Sequence, residues 1–354
     1  MHDDRVQIGL RPCSNVVADE PLAAGHDVTS CKDGVVRRLL LPLALATATP
    51  VAALDLGVPA ACTLGEDCYL QNLFDHDPGP GVQDAACGAL AYDGHDGIDI
   101  AVPTLADQAR GVEVLAAAAG VVSATREGVA DALQGVPGAP DVTGRDCGNG
   151  VLIRHEAGWE TQYCHMARGS IAVKEGQQVS AGMILGRIGY SGAAEFPHLH
   201  LTVRRNGEAL DPFAPQASSA CGELPGDTLW AGPMALPDGG ITDAGFAVAV
   251  PTYAEVTAGT ADHPVAPGQP LVLFGLLFGG RAGDEVRFTI VGPGGEAVFD
   301  HAEPLDRTQA LLFRAGGRRA PEEGWPPGPY EGSVKLQREG EDVDHLFAIV
   351  EMPG

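Results

Sequence analysis

Two short blocks of the chain hold side chains of the kind that bind a divalent metal: His95-Asp96-Gly97-Ile98-Asp99 and His198-Leu199-His200. A strand turns successive side chains to opposite faces. A strand through Leu199 therefore puts His198 and His200 on one face and Leu199 in the core. Two imidazoles facing a histidine and a carboxylate from another segment can supply the ligands of a three-ligand site with one position left for water. That is the layout of a catalytic zinc more than of a structural one. Gly97 is read as the flexible link that lets His95 and Asp99 reach one ion. Pro197 is read as the extended lead into the His198 strand.

The elements that must position these groups are short strands. Val112–Ala117, Gly120–Ala124, Ile184–Ile188 and Leu199–Arg204 are brief apolar runs, and Val151–His155 with Glu160–Cys164 read as a hairpin around Glu156 to Trp159. Asn206-Gly207 is a further turn signal. No amphipathic stretch of ten residues reads as helix, so an all-β domain is expected over residues 91–215. Thr125–Arg145, rich in Gly, Pro, Ala and Asp, is read as a long loop, functional or mobile, that could wall the cleft. Residues 54–90 form a Cys-rich approach segment and 216–240 a linker. Over 241–354, about seven short strands between Pro/Gly turns suggest an immunoglobulin-like β-sandwich, the first strand at Phe246–Pro251.

Abundant Gly (48) and Pro (27) suit such an architecture, and a net charge of −25 argues against a nucleic-acid or anionic-membrane partner. Val36-Arg37-Arg38 leads an apolar run to Ala46, and small residues follow to Ala53, the layout of a secretory signal peptide over residues 35–53. Residues 1–34 then read as a mis-assigned extension, with the true start at Val35 or Val36. No stable membrane insertion is expected once the signal is cleaved, and the location is periplasmic or secreted. Removing the signal leaves Cys62, Cys68, Cys87, Cys147, Cys164 and Cys221, an even set that suggests three disulfides, with Cys147–Cys164 the favoured pair.

The succession His95-x-Gly97-x-Asp99, Gln162-Tyr163-Cys164-His165-Met166 and Pro197-His198-Leu199-His200 resembles the M23 metallopeptidases, the lysostaphin/LytM-type peptidoglycan endopeptidases, over about Tyr92–Phe213. The resemblance implies a LytM-type antiparallel β-sheet peptidase domain. It implies Zn2+ on His95, Asp99 and His200, with His165 and His198 as catalytic partners that do not ligate. Its substrate would be a peptidoglycan peptide, cut by a zinc-activated water. The alternatives are a non-catalytic or latent activator of cell-wall amidases, and a zinc protease acting on Gly-rich extracellular proteins. All five site residues are present, which argues against a degenerate activator. Glu195 and Phe196 depart from the family's lead into the second histidine pair.

Other residues have blander readings. His155 is placed on a hairpin rim, His76 and His263 in solvated turns, and Asp77 and Asp84 outside the chemistry. Tyr163 is read as core or cleft wall with a hydroxyl able to touch substrate, and Asn149 as a substrate contact or a turn residue. The C-terminal domain shows no catalytic constellation and is read as a structural or adhesion module, able to bind cell wall or a protein partner.

Overall fold

The structure, a computed structural model, describes residues 54–216 and 227–354; the expected extension, the signal peptide and Cys221 lie outside the described residues. In the N-terminal half the strands are β1 (Tyr69–Asn72), β2 (Ile98–Ala101), β3 (Glu113–Leu115), β4 (Gly120–Arg126), β5 (Asn149–Arg154), β6 (Trp159–Met166), β7 (Gln178–Val179), β8 (Ile184–Arg187), β9 (His198–Arg205) and β10 (Glu208–Leu210). Eight of them form one antiparallel sheet, ordered β1-β2-β9-β6-β5-β4-β7 with β10 on β9, while β3 pairs with β8. Alternation in β9 sends Leu199, Leu201 and Val203 into a core shared with Ile98, Ile100 and Tyr163. Asn206 and Gly207 both have positive φ, 54° and 88°, as a two-residue hairpin of right-handed twist requires, and they fold β10 back on β9.

Four of these strands were not anticipated: β1, β2, β7 and β10 are two to four residues long, too short for alternation to show. The one that matters most is β2, which carries Asp99. The cysteines staple this half through Cys62–Cys68 and the expected Cys147–Cys164, and Cys87 is disulfide-bonded as well.

The C-terminal half contains β11 (Gly240–Ala247), β12 (Leu271–Gly280), β13 (Glu285–Val291), β14 (Ala297–Pro304), β15 (Gln309–Arg318), β16 (Gly328–Arg338) and β17 (Glu341–Met352). Sheet β11-β12-β15 packs on sheet β14-β13-β16-β17, with Phe246, Leu273 and Leu277 from one meeting Phe288, Tyr330 and Val334 from the other. Seven strands split three and four make an immunoglobulin-like sandwich. Its first strand begins at Gly240, six residues before the expected Phe246. The glycine-rich lead looked like linker, yet it pairs along β12, and Asp344 accepts the N–H of Ile241.

The two halves are packed together. The run from Leu271 to Phe278 is buried throughout instead of alternating, the pattern of a strand covered on both faces. One face enters the sandwich core. On the other, Phe278 joins the core of the N-terminal half, with its ring 6.1 Å from that of Tyr69. Leu229 and Trp230, within the expected linker, are buried too, with Trp230 beside Phe213 and bridged to Leu56. Two six-residue helices among the described residues, α1 (Leu105–Arg110) and α2 (Tyr253–Ala258), also meet. Gly259, which ends α2 at φ 74°, sits where a Cβ would lie 2.5 Å from the Thr104 hydroxyl.

Candidate metal centre and cleft

Asp99 of β2 stands directly opposite His200 of β9 in the sheet, so the two share a face, and His198 lies two residues earlier on that face. His95 arrives from the loop before β2, where Gly94 makes the turn with φ 75°. Gly97 therefore serves a different end from the expected one. A Cβ there would fall 2.4 Å from the Leu201 carbonyl oxygen and 2.8 Å from His200 Nε2. Its missing side chain is the space through which β9 and the His200 ring pass.

Each of the three groups has one atom tied down and one free. His95 Nδ1 donates to the Leu73 carbonyl at 2.6 Å, leaving Nε2 as acceptor. Asp99 Oδ2 accepts from Asn72 Nδ2 at 2.8 Å, leaving Oδ1. His200 Nε2 lies 2.9 Å from Thr202 Oγ1 and 3.3 Å from Asp96 Oδ1, leaving Nδ1. The free atoms converge: His200 Nδ1 is 3.0 Å from Asp99 Oδ1 and 3.1 Å from His95 Nε2. Ligand atoms of all three residues lie within 4.8 Å of one another, and all three residues are buried. A donor set of two imidazoles and one carboxylate, each held by an outer partner, fits a divalent metal of the zinc type. A second cluster, Cys62, Asp67 and Cys68, does not, because its two sulfurs are joined in a disulfide.

Electrostatics separates Asp99 and His200 from the other two histidines, His165 and His198. Burial works against the charge of Asp99, but His95 and His198 beside it and hydrogen bonds from His200 and His95 hold its carboxyl well below the usual range. Burial likewise opposes a proton on His200, yet its hydrogen bonds to Asp96 and Asp99 lift its pKa to about 9. The surroundings of Asp99 and His200 thus favour positive charge between them. His165 is the reverse: burial, with His198 and His200 nearby, pushes it down to about 3. Burial also lowers His198.

His165 reaches the site by breaking the strand rule. In β6, Cys164 is opposite His200, and the core residue Tyr163 is on the other face, so a regular strand would send His165 into the core with Tyr163. Instead its backbone has φ 61°, uncommon for a non-glycine residue. The conformation is held by its N–H to the Cys147 carbonyl and by its Nδ1 to the Ser191 carbonyl, both at 2.8 Å. The ring then lies 4.5 Å from that of His198. His198 Nδ1 donates to the Phe196 carbonyl, so its Nε2 faces Asp99 Oδ1 at 3.5 Å.

The remaining candidates sort cleanly. The Tyr163 hydroxyl is buried and accepts the Ala117 N–H, so it is core and not a substrate contact. Asn149 is fully buried and bonds Val129, Met166 and Ser191, so it is structural. His155 caps the hairpin rim through Ala119 and Thr161. His76 is paired with Asp211 at 2.8 Å instead of standing solvated. Asp96, Asn72 and Thr202 were missed. Thr202 lies on the metal face two residues past His200, and Asp96 sits inside the first motif, so both had a sequence signal. Asn72, in the approach segment, had none.

Asp99 and His198 line a cavity of about 840 Å³. The long loop contributes Gln134, Gly135 and Val136, and Glu195 and Phe196 contribute another side. That loop is pinned by Asp131 to the N–H groups of Arg168 and Tyr190, and by Asn149 to Val129. The sandwich supplies Tyr253 and the run Arg307 to Leu311. The sandwich, read from the sequence as a structural or adhesion module, thus also walls the cleft.

Residues 93–212 match the model of Peptidase family M23. The DD-carboxypeptidase/endopeptidase Mpg of Neisseria meningitidis serogroup B is 36% identical over 120 residues, covering 34% of this chain and 22% of that protein. The peptidoglycan DD-endopeptidase ShyA of Vibrio cholerae is 43% identical over 75 residues, covering 20% of this chain and 17% of that protein. The chain therefore spans about a fifth of the length of these curated relatives. A variant catalytic domain of the prophage-encoded M23 protein EnpA from Enterococcus faecalis is 25% identical, covers 44% of this chain and 96% of that one, and superposes with a TM-score of 0.31.

Proposed function

Taking residues 93–212 as a domain of peptidase family M23, we propose that the chain is an extracytoplasmic zinc metalloendopeptidase that hydrolyses peptide bonds in peptidoglycan cross-links. The convergence of His95 Nε2, Asp99 Oδ1 and His200 Nδ1 on one point, each braced from behind, carries this reading. Zinc held there would lower the pKa of a water and polarise the scissile carbonyl. Two relatives named as peptidoglycan or DD-endopeptidases support the substrate class.

His165 and His198 supply the proton chemistry. Both donate Nδ1 to a carbonyl, which fixes the tautomer and leaves Nε2 able to accept. Burial keeps both neutral at rest. A neutral imidazole can take a proton from water, and once charged it can stabilise an oxyanion or hand the proton to the leaving amine. The Phe196 ring stacks on His198 at 4.4 Å and limits its movement.

The test is release of fragments from purified peptidoglycan by the full chain, with and without a chelator, beside His198→Ala. Release abolished by both supports the proposal. Release that survives either one refutes the zinc mechanism. Stoichiometric zinc without any release would favour an activator that does not itself cleave.

A further inference from the structure

The cavity over the metal pocket has a wall made by the other domain, and that wall carries a cation. β14 belongs to one sheet of the sandwich and β15 to the other, so Leu305 to Thr308 cross between them. The crossing is anchored at each end. Leu305 is buried in the sandwich core, and its backbone exchanges hydrogen bonds with Gly283 and Asp284. Thr308 Oγ1 accepts the Ala282 N–H, and Gln309 pairs with Gly280 of β12. Leu311, just beyond, packs on the core of the N-terminal half. Arg307 is thus presented from a short, doubly anchored turn fixed against the peptidase half, and not from a loose loop.

Arg307 is the sole Lys or Arg among the residues lining the cavity, which also holds the carboxylates Asp99 and Glu195. It is exposed and, among the described residues, has no ion pair or hydrogen bond, whereas Arg281, Arg287, Arg314 and Arg338 of the same domain all have carboxylate partners. In a chain of net charge −25, one free guanidinium in the cleft is a discriminating feature for an anionic ligand segment. A guanidinium presents a planar fork that matches a carboxylate with two parallel hydrogen bonds.

We infer that Arg307 is a specificity-determining residue: it binds a free carboxylate on the substrate peptide, away from the scissile bond, so that the sandwich domain reads the substrate that the metal pocket cuts. This rests on the endopeptidase reading above. Gln309, whose side-chain oxygen accepts from Arg314, borders the same subsite.

The experiment uses the zinc-loaded full chain and two soluble cross-linked peptides, one with free carboxylates and one with the same groups amidated. Arg307→Ala should raise KM about tenfold for the first peptide, leave kcat and zinc content unchanged, and leave the amidated peptide unaffected. Arg307→Lys should restore part of the loss. A parallel binding measurement on His198→Ala, with and without Arg307→Ala, should show the same ratio without turnover. Equal effects on both peptides, or no effect on either, would overturn the inference. Failure of the wild type to cut either peptide would instead count against the endopeptidase reading, and the binding arm would then decide the role of Arg307 alone.

Discussion

On the metal side of the cleft, Asp99, His198 and His200 project from the paired strands β2 and β9 of an eight-stranded sheet, and every ligand has a named brace. On the sandwich side, Arg307 projects from a crossing between two sheets and makes no ion pair or hydrogen bond with the described residues. The first region holds its groups rigid and neutralises their charges against one another. The second holds only its backbone rigid and leaves the charge free. A site that binds a cation must be preorganised, because misplaced ligands lose affinity steeply. A site that reads a passing peptide gains by leaving its donor unsatisfied until the ligand arrives.

The sharpest way to break this contrast lies within the metal side. His200→Ala should lose both zinc and activity, whereas His198→Ala should keep stoichiometric zinc and lose activity by roughly two to four powers of ten. Metal content and turnover measured on the same preparations check this. Zinc lost equally in both variants would mean that His198 ligates, and the division of labour between the two histidines would fall.

The next effect concerns the braces. Asp96→Asn or Asn72→Ala should weaken zinc binding by about 10- to 100-fold while leaving all three ligands in place. Gly97→Ala should do the same by another route, since its Cβ must displace the Leu201 carbonyl and the His200 ring. Competition with a chelator of known affinity measures each. Unchanged affinity in all three variants would show that the ligands hold themselves and that the contrast with Arg307 is only apparent.

How much of this could be read from the chain divides along the same line. The pairing of His198 with His200 follows from a period of two, and the strand through them is long and apolar enough to declare itself. In the sandwich, β13 was visible for the same reason, alternating over Glu285–Val291 as expected. The strand under Asp99 was hidden because four residues cannot show a period. The entry of His165 was hidden because it depends on a single positive φ held by two carbonyls distant in sequence. The place of Arg307 in the cleft wall was hidden because it sits in a turn whose composition, Asp306-Arg307-Thr308, is that of any exposed loop. The burial of β12 on both faces and of Leu311 against the core of the N-terminal half holds that turn beside the cleft.

The smallest expected effect tests the root of the sandwich wall. Asp284 accepts the Arg281 N–H at 2.7 Å and two bonds from Arg338 at 2.8 and 2.9 Å, while its own carbonyl accepts the Leu305 N–H at 2.7 Å. Asp238 also faces both arginines, so the cluster is two carboxylates against two guanidinium groups. Burial of Asp284 works the other way, but Arg338 and Arg281 hold its carboxyl below the ordinary carboxylate range. A depressed folded-state pKa contributes stability that is complete above the unfolded value, near 4, and is lost as the pH falls through the folded value. The thermal midpoint of the wild type should therefore drop as the pH is taken below about 4, and Asp284→Asn should flatten that part of the profile while lowering the midpoint at neutral pH by a few degrees. The metal side offers a control: the wild-type and Asp284→Asn chains should bind zinc equally at neutral pH, because nothing in the brace network of His95, Asp99 and His200 reaches the Asp284 cluster. Zinc affinity that falls with Asp284→Asn would mean that the two sides of the cleft are mechanically coupled, and Arg307 would then have to be regarded as part of one preorganised site.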